Sequence, residues 1–164
     1  KDVFRRYYEL SSLVSSILSC WAVTSLSANG KLPFTPNFFD LLVIDEASQC
    51  DISSALPLLY RARRVVIIGD PKQLRHISTL SKQQDQQLLS KYDLVNDFPG
   101  WAYSSNSLFD LACSLCRSED IVELRDHHRS HSEIIEFSNE FFFQQMSFFL
   151  EQMSFFFNPK FNKS

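Results

Sequence analysis

Apolar residues at Val3, Tyr7, Leu10, Leu13, Val14, Ile17 and Leu18 recur at close to helical spacing and predict a helix over 2–19. The run CWAVTSLS (20–27) reads as a short β-prone stretch, and ANGKLPFTPNFFD, with one Gly and two Pro, as a surface loop. LLVIDE (41–46) is a near-continuous apolar strand, the pattern of a strand buried on both faces of a parallel sheet. ISSALPLLYRAR (52–63) predicts a helix with Pro57 as its irregularity, and RVVIIGD (64–70) a second buried strand. A polar, Gln-rich stretch then reads as a loop and a helix. Next, WAYSSNSLFDLACSLCRS suggests a loop with Ser107 or Asn106 capping a further helix. IVELRDHHRSHSEIIEFSNEFFF contains a short strand, a loop and a helix from about Ser132. Strands alternating with helices, with apolar runs ending in Asp, predict an α/β fold: a three-layer parallel sheet flanked by helices, whose ligands sit outside the carboxyl ends of the strands.

The C-terminal stretch breaks this rhythm. QMSFF occurs at 145–149 and again at 152–156, an offset of seven that places Phe142, Met146, Phe149, Met153 and Phe156 on one helical stripe. The expectation is a helix packed on the core or on another domain; a partner-binding helix or a loosely ordered duplicated tail are the alternatives. So many aromatics call for a covering surface.

Composition adds bounds. The chain has 164 residues, enough for one domain with a real core. It is 45% hydrophobic and 21% charged, which is globular rather than disordered. A net charge of −3 advertises no overall positive field for nucleic acid, although a local groove can be basic in an acidic protein. Cys20, Cys50, Cys113 and Cys116 include one CSLC pair and no second, so a four-ligand zinc site is not expected, and buried or semi-buried free thiols are. No apolar run reaches the roughly 18 residues of a membrane span. A cytoplasmic location and no membrane partner are the expectations.

Two adjacent carboxylates at the end of an apolar strand need a cation, because isolated buried charges are so costly. A hydrophobic strand followed by Asp-Glu suits a nucleotide hydrolase of the phosphate-loop class. There the Asp holds Mg²⁺ through water, and the next acid orients or deprotonates the attacking water. One crossover later, VVIIGDPKQL brings Gly69, Asp70 and Gln73 to the same sheet edge. Gln73 is a neutral side chain able to hydrogen-bond a phosphate oxygen or a water. LRDHHRSH supplies Arg129, which could neutralise charge on a transferring phosphoryl group. Asp70-Pro71 as a plain turn and Arg129 as a solvated surface residue are the bland alternatives.

DEASQ (45–49), GDPKQL (69–74) and HHRSHSEIIEFSNEFF (127–142), in this order, resemble motifs II, III and IV of the superfamily 1 helicases, in the branch that includes the nonsense-mediated-decay RNA helicase and its DNA-acting relatives. WAVTSLSA (21–28) resembles the strand and threonine just before motif II. The resemblance covers about residues 1–143 and implies the C-terminal portion of a RecA-like motor domain, with 144–164 a Phe-rich tail. It implies ATP and Mg²⁺ as cofactors, Asp45 as the Mg²⁺ ligand through water, and Glu46 as the catalytic base. Gln49 and Gln73 would sense the γ-phosphate or its water, Asp70 would support them, and Arg129 would face the γ-phosphate. Thr24 would be a nucleic-acid contact. The partners implied are single-stranded nucleic acid, DNA in preference to RNA, together with a phosphate-loop segment and a second RecA-like domain.

This sequence departs from the family in places. His128 stands where a tyrosine usually precedes the motif IV arginine, and Ser130 and Ser132 replace the usual Met and Pro. His127 and His131 are spaced i, i+4, which invites a metal reading, but no third ligand stands at matching spacing. The sole Gly-Lys is Gly30-Lys31, with Ser25 five residues before it and Leu32 after it, so GxxxxGK[ST] is absent. A fragment of a longer motor, inactive alone, is the first expectation. The alternatives are a catalytically inert helicase-like domain acting as an interaction module, and a plain nucleic-acid binder using Arg5, Arg6, Lys72 and Arg75.

Overall fold

The structure is a computed structural model that describes residues 2–95, 99–124, 131, 133, 136 and 152–157. The elements follow in the order α1 (Asp2–Ile17), α2 (Ser25–Lys31), β1 (Leu42–Ile44), α3 (Ile52–Tyr60), β2 (Val65–Gly69), α4 (Lys82–Lys91), α5 (Leu108–Leu115), β3 (Ile121–Leu124) and β4 (Gln152–Phe157). Short 3₁₀ turns at Ala47–Gln49, Pro99–Trp101 and Ser118–Asp120 join them.

One four-stranded sheet has the order β1-β2-β4-β3. β1 and β2 are parallel, with Leu42, Val43 and Ile44 opposite Val65, Val66 and Ile67. β4 is antiparallel to both β2 and β3, so β2 and β3 run in the same direction. Alternating strands and helices with a parallel pair are what the hydrophobic pattern predicts, and the fold is α/β.

β2 is the buried strand its sequence promises: Val65, Val66 and Ile67 are each at most 8% exposed. Val65 and Ile67 share one face by strand alternation and pack with Ile44, Ala47, Ala55, Ala62, Leu108, Phe109 and Ala112. A smaller cluster of Ala28, Leu32 and Leu58 seats α2 against α3. The helix starts are chemically set. Ser81 and Ser107 each accept a bond from the third helical amide, and the residue there, Gln84 or Asp110, bonds back to the cap. Asp51 caps α3 through the Ser54 amide.

Gly69 is where α5 meets β2. A Cβ there would lie 2.6 Å from Phe109 Cδ2 and 2.9 Å from Ser48 Oγ, so the strand end has room only for hydrogen. Phe109 is itself 2% exposed and cannot swing away cheaply. Gly69→Ala is expected to destabilise the fold by roughly 1–3 kcal/mol, the usual cost of overpacking. Chemical denaturation checks this; an unchanged midpoint would mean that α5 yields more easily than this packing implies.

Buried charge is handled by backbone. Arg61 is 2% exposed, with Nε on Pro33 O (2.9 Å), Nη1 on Pro57 O (2.5 Å) and its guanidinium over the Phe34 ring (4.8 Å). It thereby satisfies a carbonyl near the C-terminal end of α3, where helical partners run out. Asp85 is 5% exposed and accepts the Ser104 amide and hydroxyl, both at 2.8 Å, tying α4 to the loop before α5.

Four expectations change. Residues 18–24 form no strand, and α2 begins at Ser25, because Thr24 uses its hydroxyl as a helix cap on the Ser27 amide. β1 is an edge strand with Val43 53% exposed, so it is not buried on both faces. α1 keeps its amphipathic spacing, yet Leu10, Leu13 and Ile17 are 51–73% exposed. Met153 and Phe156, placed on a helical stripe by the seven-residue offset, lie in β4. An aromatic run suits a strand as well as a helix, and pairing on both edges decides in favour of the strand. Phe142, Met146 and Phe149 lie outside the described residues.

Candidate nucleotide site at the strand ends

β1 ends at Ile44, and the chain turns sharply into α3 through DEASQCD. Asp45 and Glu46 are both exposed, and Asp45 Oδ1 accepts the Glu46 amide at 2.9 Å. Glu46 holds left-handed backbone angles, φ 55° and ψ 39°. For a residue with a Cβ that conformation costs roughly 1–2 kcal/mol, and such strain gathers at functional sites. Here it lets the chain reverse at the strand end while presenting two acids side by side.

Behind the acids, Ser48 is 2% exposed and joins the two strand ends. Its Oγ donates to Asp70 O (2.7 Å) and accepts from the Asp70 amide (2.9 Å). Its own carbonyl accepts the His76 amide (3.2 Å). Asp70 is 3% exposed, and its Oδ1 takes the Lys72 amide at 2.9 Å, while its carbonyl takes the Gln73 amide at 3.3 Å. The sequence DPK thus closes an Asx turn. His76 Nε2 lies 2.8 Å from Tyr103 O. A carbonyl can only accept, so that nitrogen carries the proton.

A cavity of about 820 Å³ opens beside β1, lined by Thr24, Asp45, Glu46, Gln49, Cys50 and Ser54 among others. Four of the residues predicted from the sequence, Thr24, Asp45, Glu46 and Gln49, therefore meet on one cavity. Asp70 does not line it. It sits in the layer below, and Gln73 stands exposed on the turn that follows. Gln49 and Asp51 also form a wall of a second cavity of about 470 Å³, together with His76 and Tyr103. Arg129, His127 and His128 lie outside the described residues.

The charges suit a cation and not a thiol nucleophile. Burial first, and the neighbouring Asp51 charge second, push the Cys50 thiol up to about 11, so it stays protonated at neutral pH and unreactive. Burial alone would raise Asp51, but hydrogen bonds from the Ser53 and Ser54 hydroxyls and the Ser54 amide outweigh it and hold the carboxyl below its ordinary value. Among the described residues no group of three or more His, Cys, Asp or Glu could cage a metal. All four cysteines are free, as expected, although Cys20 and Cys113 are exposed rather than buried.

Ser48 and His76 were not singled out as site residues from the sequence. Ser48 had a signal: a small hydroxyl within DEASQ, next to Gln49 and two residues from Glu46. His76 had none.

An α/β sheet with two acid-tipped parallel strands joined beside a cavity is consistent with part of a RecA-like domain. Residues 11–82 match the family model described as "AAA domain". The chain is 30% identical over 141 residues to the "Uncharacterized ATP-dependent helicase MG140" of Mycoplasma genitalium, covering 83% of this chain and 12% of that protein. It is 39% identical over 75 residues to "Helicase SEN1" of Saccharomyces cerevisiae, covering 45% of this chain and 3% of that protein. Against "Probable helicase senataxin" of Homo sapiens it is 30% identical over 107 residues, covering 56% and 4%. No solved structure gives a significant match. Together these likenesses indicate a fragment of a superfamily 1 helicase. It spans only 12% or less of the length of these relatives.

Proposed function

We propose that this chain supplies the acid-bearing strand ends of an ATP-driven motor that moves on single-stranded nucleic acid. The observation that carries this reading is the pair Asp45 and Glu46, set side by side at the end of β1 on one cavity and joined through Ser48 to Asp70 at the end of β2.

In this reading residues 1–143 form the C-terminal portion of a RecA-like motor domain and 144–164 an appended tail. Asp45 would hold Mg²⁺ through water, and the ion when bound would neutralise phosphate charge. Glu46 accepts the proton of the attacking water. Gln49 and Gln73 orient that water or a γ-phosphate oxygen, and Asp70 fixes the turn that carries Gln73. Arg129 faces the γ-phosphate. Thr24, which lines the same cavity as the acids, contacts the strand. DNA is preferred to RNA as that strand, and a cytoplasmic setting fits four unbridged cysteines.

This sequence lacks GxxxxGK[ST], so the activity belongs to a chain that joins it to a phosphate-loop segment and a second motor domain. In that assembly, ATP turnover should rise at least about tenfold on adding single-stranded DNA, an increase of some 1.4 kcal/mol in effective barrier lowering. RNA in place of DNA tests the strand preference. A folded assembly with no turnover on either strand would overturn the motor reading and leave a catalytically inert interaction module.

A further inference from the structure

Cys113 and Cys116 take no part in the candidate nucleotide site, and they stand together. Cys113 lies in the last turn of α5. Cys116 is the C-cap, with its amide on Ala112 O at 2.9 Å and a helical φ of −79°, so its Cβ still follows the helix. Residues three apart on a helix are neighbours, with Cβ atoms about 5–6 Å apart. Cys113 is exposed, and Cys116 is half-buried against the core that holds Phe109 and Ala112. We propose that this pair is a binding site for a soft monovalent cation of the Cu(I) class, gripped between the two sulfurs.

Ligand number and local field both select that cation. Among the described residues no third His, Cys, Asp or Glu completes a metal cage, so Zn²⁺, which takes four ligands in a closed site, is poorly served. A d¹⁰ monovalent cation is content with two thiolates, and their softness favours it over harder ions. Two carboxylates stand close by, yet both are committed. Asp110 Oδ2 accepts the Ser107 amide and hydroxyl at 2.9 and 2.8 Å, and its Oδ1 pairs with Arg75 at 3.3 Å. Asp120 holds Arg117 at 3.0 Å, and Glu119 holds the same guanidinium at 2.6 Å. Asp110 and Asp120 therefore supply negative field and not ligands. The last carbonyls of α5, whose helical partners have run out, add partial negative charge of their own.

The thiols register this field. Burial first, then Asp110 and Cys116, push the Cys113 thiol up to about 11, and burial followed by Asp120 raises Cys116. That each lies within electrostatic reach of a neighbour of the other fits the helical spacing. Such thiols are poor nucleophiles at neutral pH, which favours holding a cation over disulfide exchange. Binding trades protons for metal: two Cys–SH and one M⁺ give the S–M–S anion and two H⁺, with no change of oxidation state. This inference does not rest on the motor reading.

The test titrates the reduced full chain with Cu(I) in competition with a chromophoric Cu(I) chelator. One ion should bind per chain, with two sulfur neighbours in X-ray absorption. Cys113→Ser and Cys116→Ser should each weaken binding by at least about 100-fold, the upper end of what a supporting residue around a metal contributes, while Cys20→Ser stays within about threefold. Cys113 is exposed, so its serine variant folds whether or not the site exists. Cu(I) should raise the thermal midpoint of the parent and leave that of Cys113→Ser unmoved. Equal affinity in the parent and both variants overturns the proposal, as does an ion shared between two chains or a loss of binding in Cys20→Ser. Zn²⁺ held by the same pair as tightly as Cu(I) also overturns it.

Discussion

Glu46→Gln in the assembled motor is expected to lower kcat by about 10²–10⁴-fold, the range that a positioned general base contributes, while nucleotide affinity stays within about threefold. Gln keeps the length and hydrogen-bonding reach of Glu but accepts no proton. It also meets the same left-handed backbone, φ 55°, so the loop geometry is not the variable. Glu46→Gly separates strain from chemistry. Glycine adopts that backbone without the penalty of a Cβ, so this variant should be equally inactive yet no less stable than the parent. Steady-state turnover paired with thermal unfolding checks both variants. Glu46→Gln that retains turnover within threefold would remove Glu46 from the proton transfer.

The largest stability effect is expected at Ser48. Ser48→Ala removes one hydroxyl, leaving the buried Asp70 amide without its partner and the Asp70 carbonyl with only the Gln73 amide at 3.3 Å. The unsatisfied amide costs about 1–3 kcal/mol and the carbonyl's lost bond about 1 kcal/mol more, so the loss should total roughly 2–4 kcal/mol. The hydroxyl spans 22 positions of sequence, which makes the effect long-range: the Asp70 amide should exchange its hydrogen faster even though the substitution lies in another segment. Ser48→Cys, nearly the same size with a weak donor, should recover only part of the loss. A destabilisation below about 0.5 kcal/mol with unchanged exchange at Asp70 would mean that the two strand ends are held together by packing alone.

The grouping of part of the candidate site was legible along the chain. Asp45, Glu46 and Gln49 were predicted to act together, and they share a cavity with Thr24, because a strand end followed by a tight turn confines neighbours in sequence to neighbours in space. The helix start at Ser107 follows from local chemistry in the same way. What the pattern misplaced was set by pairing partners. Val43 belongs to an apolar run that reads as doubly buried, yet it is 53% exposed because β1 ends up at the sheet edge. Exposure of the apolar side of α1 has the same origin: spacing shows which residues share a stripe but not what covers it.

Sequence alone determined the β1–α3–β2 succession, the acids at the strand ends and the duplicated QMSFF, since each depends on residues a few positions apart. Tertiary structure alone decided that Ser48 reaches Asp70, that Gly69 must yield its space to Phe109, and that the second QMSFF becomes an inner strand instead of a helix. Those outcomes depend on contacts between distant segments, and a periodic pattern that satisfies both helix and strand leaves the choice to whichever neighbours complete its backbone hydrogen bonds.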